Sequence, residues 1–393
     1  MQFDFHKCDD ALDEAVMQNR IGMLTTHSVM NYGGLLQAYA LKQTITHLGY
    51  TCCTINYIPD MQNATKSPLQ FLFKRKNVLG KAALVLTHRS EFHERQQLIS
   101  RFREDYLKPE PYDSISYAGL PAAVNAYDAL VCGSDQLWNL ALGDMENGAY
   151  FLNFPHKAPA ITYSVSFGDG IARKEQETLE HLDYIRAFSR ISVRESEAKS
   201  FLAAHGIESE LCVDPTLLLD VEVWKRIASP RLIEEPYILV YGFENAFQRY
   251  DDLVSVARNV SKTLNLSVVN ALMVPELSHA GFHNHFACGP LEFLSLILHA
   301  EHVCTNSFHA CVFSHLFDTP FSVAQGYNLE VDARKKTLLE MLGQESRVSR
   351  PGDVLSKAQL EQRQATTSPS RCLAERRNTS IDYLSTALRE VCG

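Results

Sequence analysis

The sequence predicts an α/β protein built as two successive sheet-and-helix units. Three observations carry that expectation. Short apolar runs of strand length alternate with helical stretches from Ile21 to Leu342, the pattern that builds parallel sheets covered by helices. At 393 residues the chain exceeds what one ordinary core organises. A proline-bearing stretch with Pro230 and Pro236 lies mid-chain, and the apolar run YILVY (Tyr237–Tyr241) starts afresh beyond it. The expected division is a first domain over 1–228, a second over 229–355, and a helical segment over 356–393 that packs back on the first.

In the first half, Ile21–Thr26 reads as a strand, and residues 27–34 as a loop. Leu35–Leu48 reads as a helix with Leu41, Ile45 and Leu48 on one face, stopped by Gly49. Thr51–Tyr57 is a second strand, which makes the unit βαβ-like. Gly33 and Gly34 let the backbone approach a ligand closely. Their spacing is neither GxGxxG nor a Walker loop, so no dinucleotide follows. Asp60–Leu86 reads as loop plus helix, with Lys74-Arg75-Lys76 as solvated charge, and Glu91–Tyr106 as a charged helix. Tyr127–Cys132 is a strand running into Gly133-Ser134-Asp135-Gln136-Leu137-Trp138-Asn139, and open α/β sheets place ligands at such strand ends. Asp135 is there as a base or as a turn cap. Ala160–Ser166 and Arg190–Val193 are strands, with a helix over Glu175–Phe188 between them and another over Glu197–His205. Arg194, at a strand's carboxyl end, offers a fork of donors to a carboxylate or phosphate; an internal pair with Glu195 or another acid is the plainer reading.

In the second half, Tyr250–Leu264 reads as a helix, Leu266–Asn270 as a strand and Leu291–His299 as a helix. His279, His283, His285 and Cys288 are residue types that bind metals, but their spacing fits no standard zinc site, so no metal is expected. The stretch VCTNSFHACVFSHL (Val303–Leu316) reads as a buried strand, a polar turn, and a helix from Phe308 capped by Asn306 or Ser307. His309 then stands in the first turn, beside free N–H groups and the positive end of the helix dipole. Such a place holds phosphate or carboxylate, and an imidazole there is suited to proton transfer. A capped core histidine is the competing reading. Pro320–Ala324 reads as an edge strand and Val331–Leu342 as a helix bearing Arg334.

The totals narrow the function. Apolar residues at 46% and charged residues at 21% are those of a globular protein. A net charge of -9 disfavours a general nucleic-acid surface, so an anionic ligand must meet a local positive site. The 10 cysteines include no CxxC, which suggests reduced thiols in the cytoplasm. The amino-terminal stretch lacks a signal h-region, and no apolar run approaches the roughly 18 residues that span a bilayer.

Taken together, NYGGLLQAYAL, VCGSDQLWN, YSVSFG, ISVRES, VDPTLLL and CGPLEFLSLILHAEHVCTNSFHACVFS fall in the order of the polysaccharide pyruvyl transferase family, which the chain resembles from about Ile21 to Val348. The resemblance implies two Rossmann-like domains facing across a cleft, as in GT-B glycosyltransferases. It also implies transfer of the enolpyruvyl group of phosphoenolpyruvate to a sugar of a surface polysaccharide or its precursor. A pyruvate ketal forms and phosphate leaves. His309 falls on the family's histidine near the donor and Arg194 on an arginine that holds it. Some members carry an arginine where this chain has Ser307, so Arg334 is the candidate replacement.

The expected site is therefore His309 and Asp135 as catalytic groups. Arg194, Asn306, Ser307, Phe308 and Arg334 are expected on the donor, and Asn31, Tyr32, Gly33, Gln136 and Trp138 on the acceptor. Phosphoenolpyruvate is a co-substrate, and neither a metal nor a resident cofactor is expected. The partners are the donor and a sugar, free or lipid-linked; the latter would bring the protein to the inner face of the membrane. A nucleotide-sugar glycosyltransferase and a non-catalytic carbohydrate-binding protein are the alternatives.

Overall fold

The computed structural model describes residues 19–27, 31–59, 78–142, 148–244, 249–326, 332–362 and 369–393. The basic triplet Lys74-Arg75-Lys76 lies outside them.

Strands β1 (Arg20–Leu24), β2 (Thr51–Tyr57), β3 (Glu110–Ile115), β4 (Ala129–Asp135), β5 (Ala160–Val165), β6 (Ser192–Val193) and β7 (Glu210–Leu211) form one sheet, in the order β3-β2-β1-β4-β5-β6-β7. Strands β8 (Tyr237–Tyr241), β9 (Ser267–Asn270), β10 (His283–Asn284), β11 (His302–Thr305), β12 (Phe321–Ala324) and β13 (Val348–Ser349) form the second, in the order β10-β9-β8-β11-β12-β13. Every pairing is parallel. Helices cover both faces of such sheets, so the central strands are buried end to end, as β4 and β8 are. The helices used below are α1 (Tyr32–His47), α2 (Arg89–Phe102), α3 (Ser196–Ala204), α4 (Tyr250–Leu264), α5 (Pro290–Leu298), α6 (Phe308–Leu316), α7 (Ala333–Leu342) and α8 (Pro369–Cys392).

Three of the elements expected from sequence take a different form, and β3 is one the sequence did not announce. Helix α1 begins at Tyr32, because Asn31 caps it by accepting from the Gly33 N–H at 3.2 Å, so the two glycines are its first turn and not a loop. Strand β12 lies between β11 and β13, so it is not an edge. Glu175–Phe188 is broken into two short helices, Glu175–Leu179 and Leu182–Arg186.

The domains share a core. Tyr32 of the first stacks on Tyr241 of the second with ring centroids 5.7 Å apart, and its hydroxyl donates to the Cys288 carbonyl at 2.7 Å. Trp224 meets Phe313 edge-on at 5.0 Å. Helix α8 lies on the first sheet, where Tyr383 donates to the Thr162 carbonyl and the Val213 N–H donates to Ser380.

Candidate functional site

In an open parallel sheet the crevice forms where strand order reverses, at the carboxyl ends. The first sheet reverses between β1 and β4, the second between β8 and β11. The residues that follow those strands face each other. An added Cβ on Gly33, at the start of α1, would sit 2.1 Å from Nδ1 of His309, at the start of α6. Two helix amino-termini therefore converge on the imidazole.

On the first domain's side, register builds the cluster. Asp135 pairs with Val165, Val165 with Val193, and Val193 with Leu211, so Asp135, Arg194 and the turn after Leu211 leave the sheet on one edge. Arg194 donates to Asp214 Oδ2 at 2.5 Å and to Asp135 Oδ1 at 3.1 Å, and its Nε lies 3.6 Å from Glu195 Oε1. All four side chains are at least nine-tenths buried. Asp214 Oδ1 also accepts from the Thr216 N–H and hydroxyl. Burial opposes the Arg194 charge, but Asp214, Asp135 and Glu195 outweigh it and push the guanidinium above its ordinary value. Burial likewise works to raise Asp214, yet His309 and Arg194 hold its carboxyl well below the usual range. Glu195 is pushed up, chiefly by burial. Asp135 ends β4 with φ at 73°, a left-handed conformation uncommon outside glycine; the Leu137 and Ser166 N–H groups pin its carbonyl.

On the other side, the Ser307 hydroxyl caps α6 by accepting from the Ala310 N–H at 3.4 Å. His309 Nε2 stands 3.5 Å from Asp214 Oδ2, and the Phe308 ring lies under the Arg194 guanidinium at 4.4 Å. Asp214 thus lies between the two domains' groups, hydrogen-bonded to Arg194 and 3.5 Å from the imidazole.

The sequence profile of the family described as polysaccharide pyruvyl transferase matches residues 31–323. The chain belongs to that family. Among the curated proteins compared, none matches. Among solved structures, a UDP-N-acetylglucosamine 2-epimerase from Rickettsia bellii is similar at 9% identity and TM-score 0.50, over 96% of each chain. The glycosyltransferase SnogD from Streptomyces nogalater is similar at 11% identity and TM-score 0.44, over 96% of this chain and 100% of that one. The fold of this pyruvyl transferase family member is GT-B-like, with two parallel-sheet α/β domains.

The residues expected from sequence divide into two sets. Asp135, Arg194, Phe308, His309 and Gly33 come together. Arg194, however, is not a free clamp, because two carboxylates already occupy its fork. The Asn306 side chain, expected on the donor, instead holds the second domain's own backbone: it accepts from the Phe243 N–H and donates to the Phe243 carbonyl. Trp138 is a core residue, stacked on Phe151 at 5.6 Å and donating to the Tyr150 carbonyl. Tyr32 is spent on the domain interface. Gln136 is half-buried and accepts from Asn139, while Asn31 caps α1. Arg334 pairs with Asp332 at 3.3 Å.

Sequence reasoning missed Asp214. Its signal was present in VDPTLLL, an acid before a proline just beyond a strand. That strand has only two residues, so its register beside Arg194 was invisible. Among the described residues, no group of three or more His, Cys, Asp or Glu is placed to hold a metal ion, and no helix is long and apolar enough to cross a membrane.

Proposed function

We propose that this pyruvyl transferase family member moves the enolpyruvyl group of phosphoenolpyruvate onto a sugar, closes a pyruvate ketal across two hydroxyls, and releases phosphate. The observation that supports this best is the gathering of Asp135, Arg194 and Asp214 beside His309, whose Nε2 lies 3.5 Å from Asp214, at the facing ends of both sheets.

The donor is an anion, so it belongs against the free N–H groups of the first turn of α6, away from the carboxylate edge. His309 gives a proton to the methylene carbon, and the adjacent carbon becomes oxocarbenium-like. The first sugar hydroxyl bonds to that carbon and passes its proton to Asp135, whose charge Arg194 supports. The second hydroxyl then bonds to the same carbon as the carbon–oxygen bond to phosphate breaks, and its proton leaves with the phosphate. Asp214 positions the imidazole throughout.

The test is to incubate the protein with phosphoenolpyruvate and a panel of sugars bearing neighbouring hydroxyls, then analyse products by mass spectrometry. The expected result is a sugar gaining pyruvate less water, with phosphate in equal amount. Transfer from a nucleotide-sugar, or glycan binding with no phosphate released in any mixture, overturns the proposal.

A further inference from the structure

A second binding region adjoins this cluster. A pocket of about 300 Å³ runs outward from Arg194 and Asp214, bounded by the turn after β7 and by α7 and α8. That size is at the low end of ligand pockets. Leu217, Leu338 and Met341, with Phe308 at the cluster end, give it apolar walls, and Arg376 and Arg334, the latter paired with Asp332 at 3.3 Å, add two cations. Arg194 closes its inner end; its side chain is 2% exposed, and its Nε faces Glu195 Oε1 at 3.6 Å. The acids of the lining are Asp214, engaged by Arg194 and Thr216, and Glu340, which is exposed. Arg376 is exposed and makes no ion pair with a described residue. The walls from α7 and α8 lie beyond residue 323, outside the span matched by the family profile.

We infer that this pocket binds an amphiphilic anion, a phosphate or carboxylate carried on an apolar stem. The stem covers Leu217, Leu338 and Met341, where burial of apolar surface drives binding. The anion sits between Arg334 and Arg376, where charge-assisted hydrogen bonds fix it. A bare sugar leaves both features unused. The inference goes beyond pyruvyl transfer, and its test reads occupancy rather than turnover, so the two can fail separately.

Cys372 lines the same pocket and is exposed, which supplies the readout. Alkylation of Cys372 in the full chain is followed by peptide mass spectrometry with octyl phosphate, inorganic phosphate or octyl glucoside present. Octyl phosphate slows the labelling roughly tenfold at about ten times its dissociation constant, and the other two have far weaker effects. Arg376→Glu and Met341→Glu, each confirmed folded by thermal melting, lose most of the protection; Arg376→Gln serves if the glutamate variant does not fold. Absence of protection by octyl phosphate overturns the inference. So does equal protection by octyl glucoside or by inorganic phosphate, or full protection in the Arg376 variant.

Discussion

The two edges that face each other across the cleft are chemically opposite. The first domain presents Asp135, Glu195 and Asp214 around the single guanidinium of Arg194. The second presents an imidazole and a helix amino-terminus; the nearby Lys335 cation is spent inside its own domain, donating to the Asn306 carbonyl and to Asp332. In the proposed reaction the carboxylates of the first edge repel an anionic donor, and the amino-terminus of α6, with that of α1 beside it, attracts it. Hydroxyls that must lose protons gain from the first. The contrast sorts the proposed substrates onto opposite walls, which meet beside the imidazole through Asp214, Gly33 and the stacking of Phe308 on Arg194.

Removing the imidazole breaks the contrast most completely. His309→Ala is expected to lower phosphate release by about 10²–10⁴-fold, the usual worth of a general acid, while circular dichroism still shows a folded protein. Asp214→Asn comes next. It leaves Arg194 with one fewer buried counter-charge, and breaking a buried pair costs about 3–5 kcal/mol, readable in a denaturant titration. The same variant should slow turnover more than it weakens donor binding, because Asp214 positions His309 without touching the donor.

Gly33→Ala sharpens the picture from the other direction. Replacing a helix glycine by alanine normally stabilises by roughly 0.5–1 kcal/mol. Here the new Cβ would meet His309 Nδ1 at 2.1 Å, so the ring must move and turnover should fall although no titrating group is lost. Wild-type turnover in this variant contradicts the placement of the imidazole against α1.

The smallest effect lies away from the cleft. Burial lowers the buried His302 and His315 to about 4 from an ordinary 6.5. The unfolded chain therefore binds these protons more readily than the folded one does. Stability is full above about 6.5 and falls as the pH drops from there to about 4, then levels for these groups. His302 bonds the Leu360 carbonyl through one nitrogen and Ser322 through the other, an arrangement that suits a neutral ring. His302→Gln should flatten that limb in a pH series of thermal melts without changing how turnover responds to His309.

Much of this was legible before any coordinates. YILVY is β8 to the residue, Tyr250–Leu264 is α4, and Phe308–Leu316 is α6 with Ser307 as its cap, because long apolar periodicity and capping chemistry are local signals. Strand β3, EPYDSI, is almost wholly exposed and carries no apolar alternation, so nothing local announced it. Gly33 and Gly34 argue locally for a loop at the start of α1; they open the helix because His309 packs too close for a side chain there. At the site, His309, Asp135 and Arg194 were visible as polar residues at strand ends. That Arg194 is sheathed in carboxylates was not, since Asp135, Arg194 and Asp214 meet only through sheet register. Trp138 and Tyr32 sat in the right stretches, but their rings turn into the core, a matter of packing that sequence position does not reveal.

If His309, 3.5 Å from Asp214, acts on phosphoenolpyruvate between the two sheets as proposed, phosphate release must depend on both residues. The most direct test is single-turnover phosphate release from phosphoenolpyruvate, with and without a sugar diol, in wild type, His309→Ala and Asp214→Asn side by side. Sugar-dependent release is expected in wild type, nearly abolished in His309→Ala and reduced in Asp214→Asn. Release at the wild-type rate in both variants would contradict it.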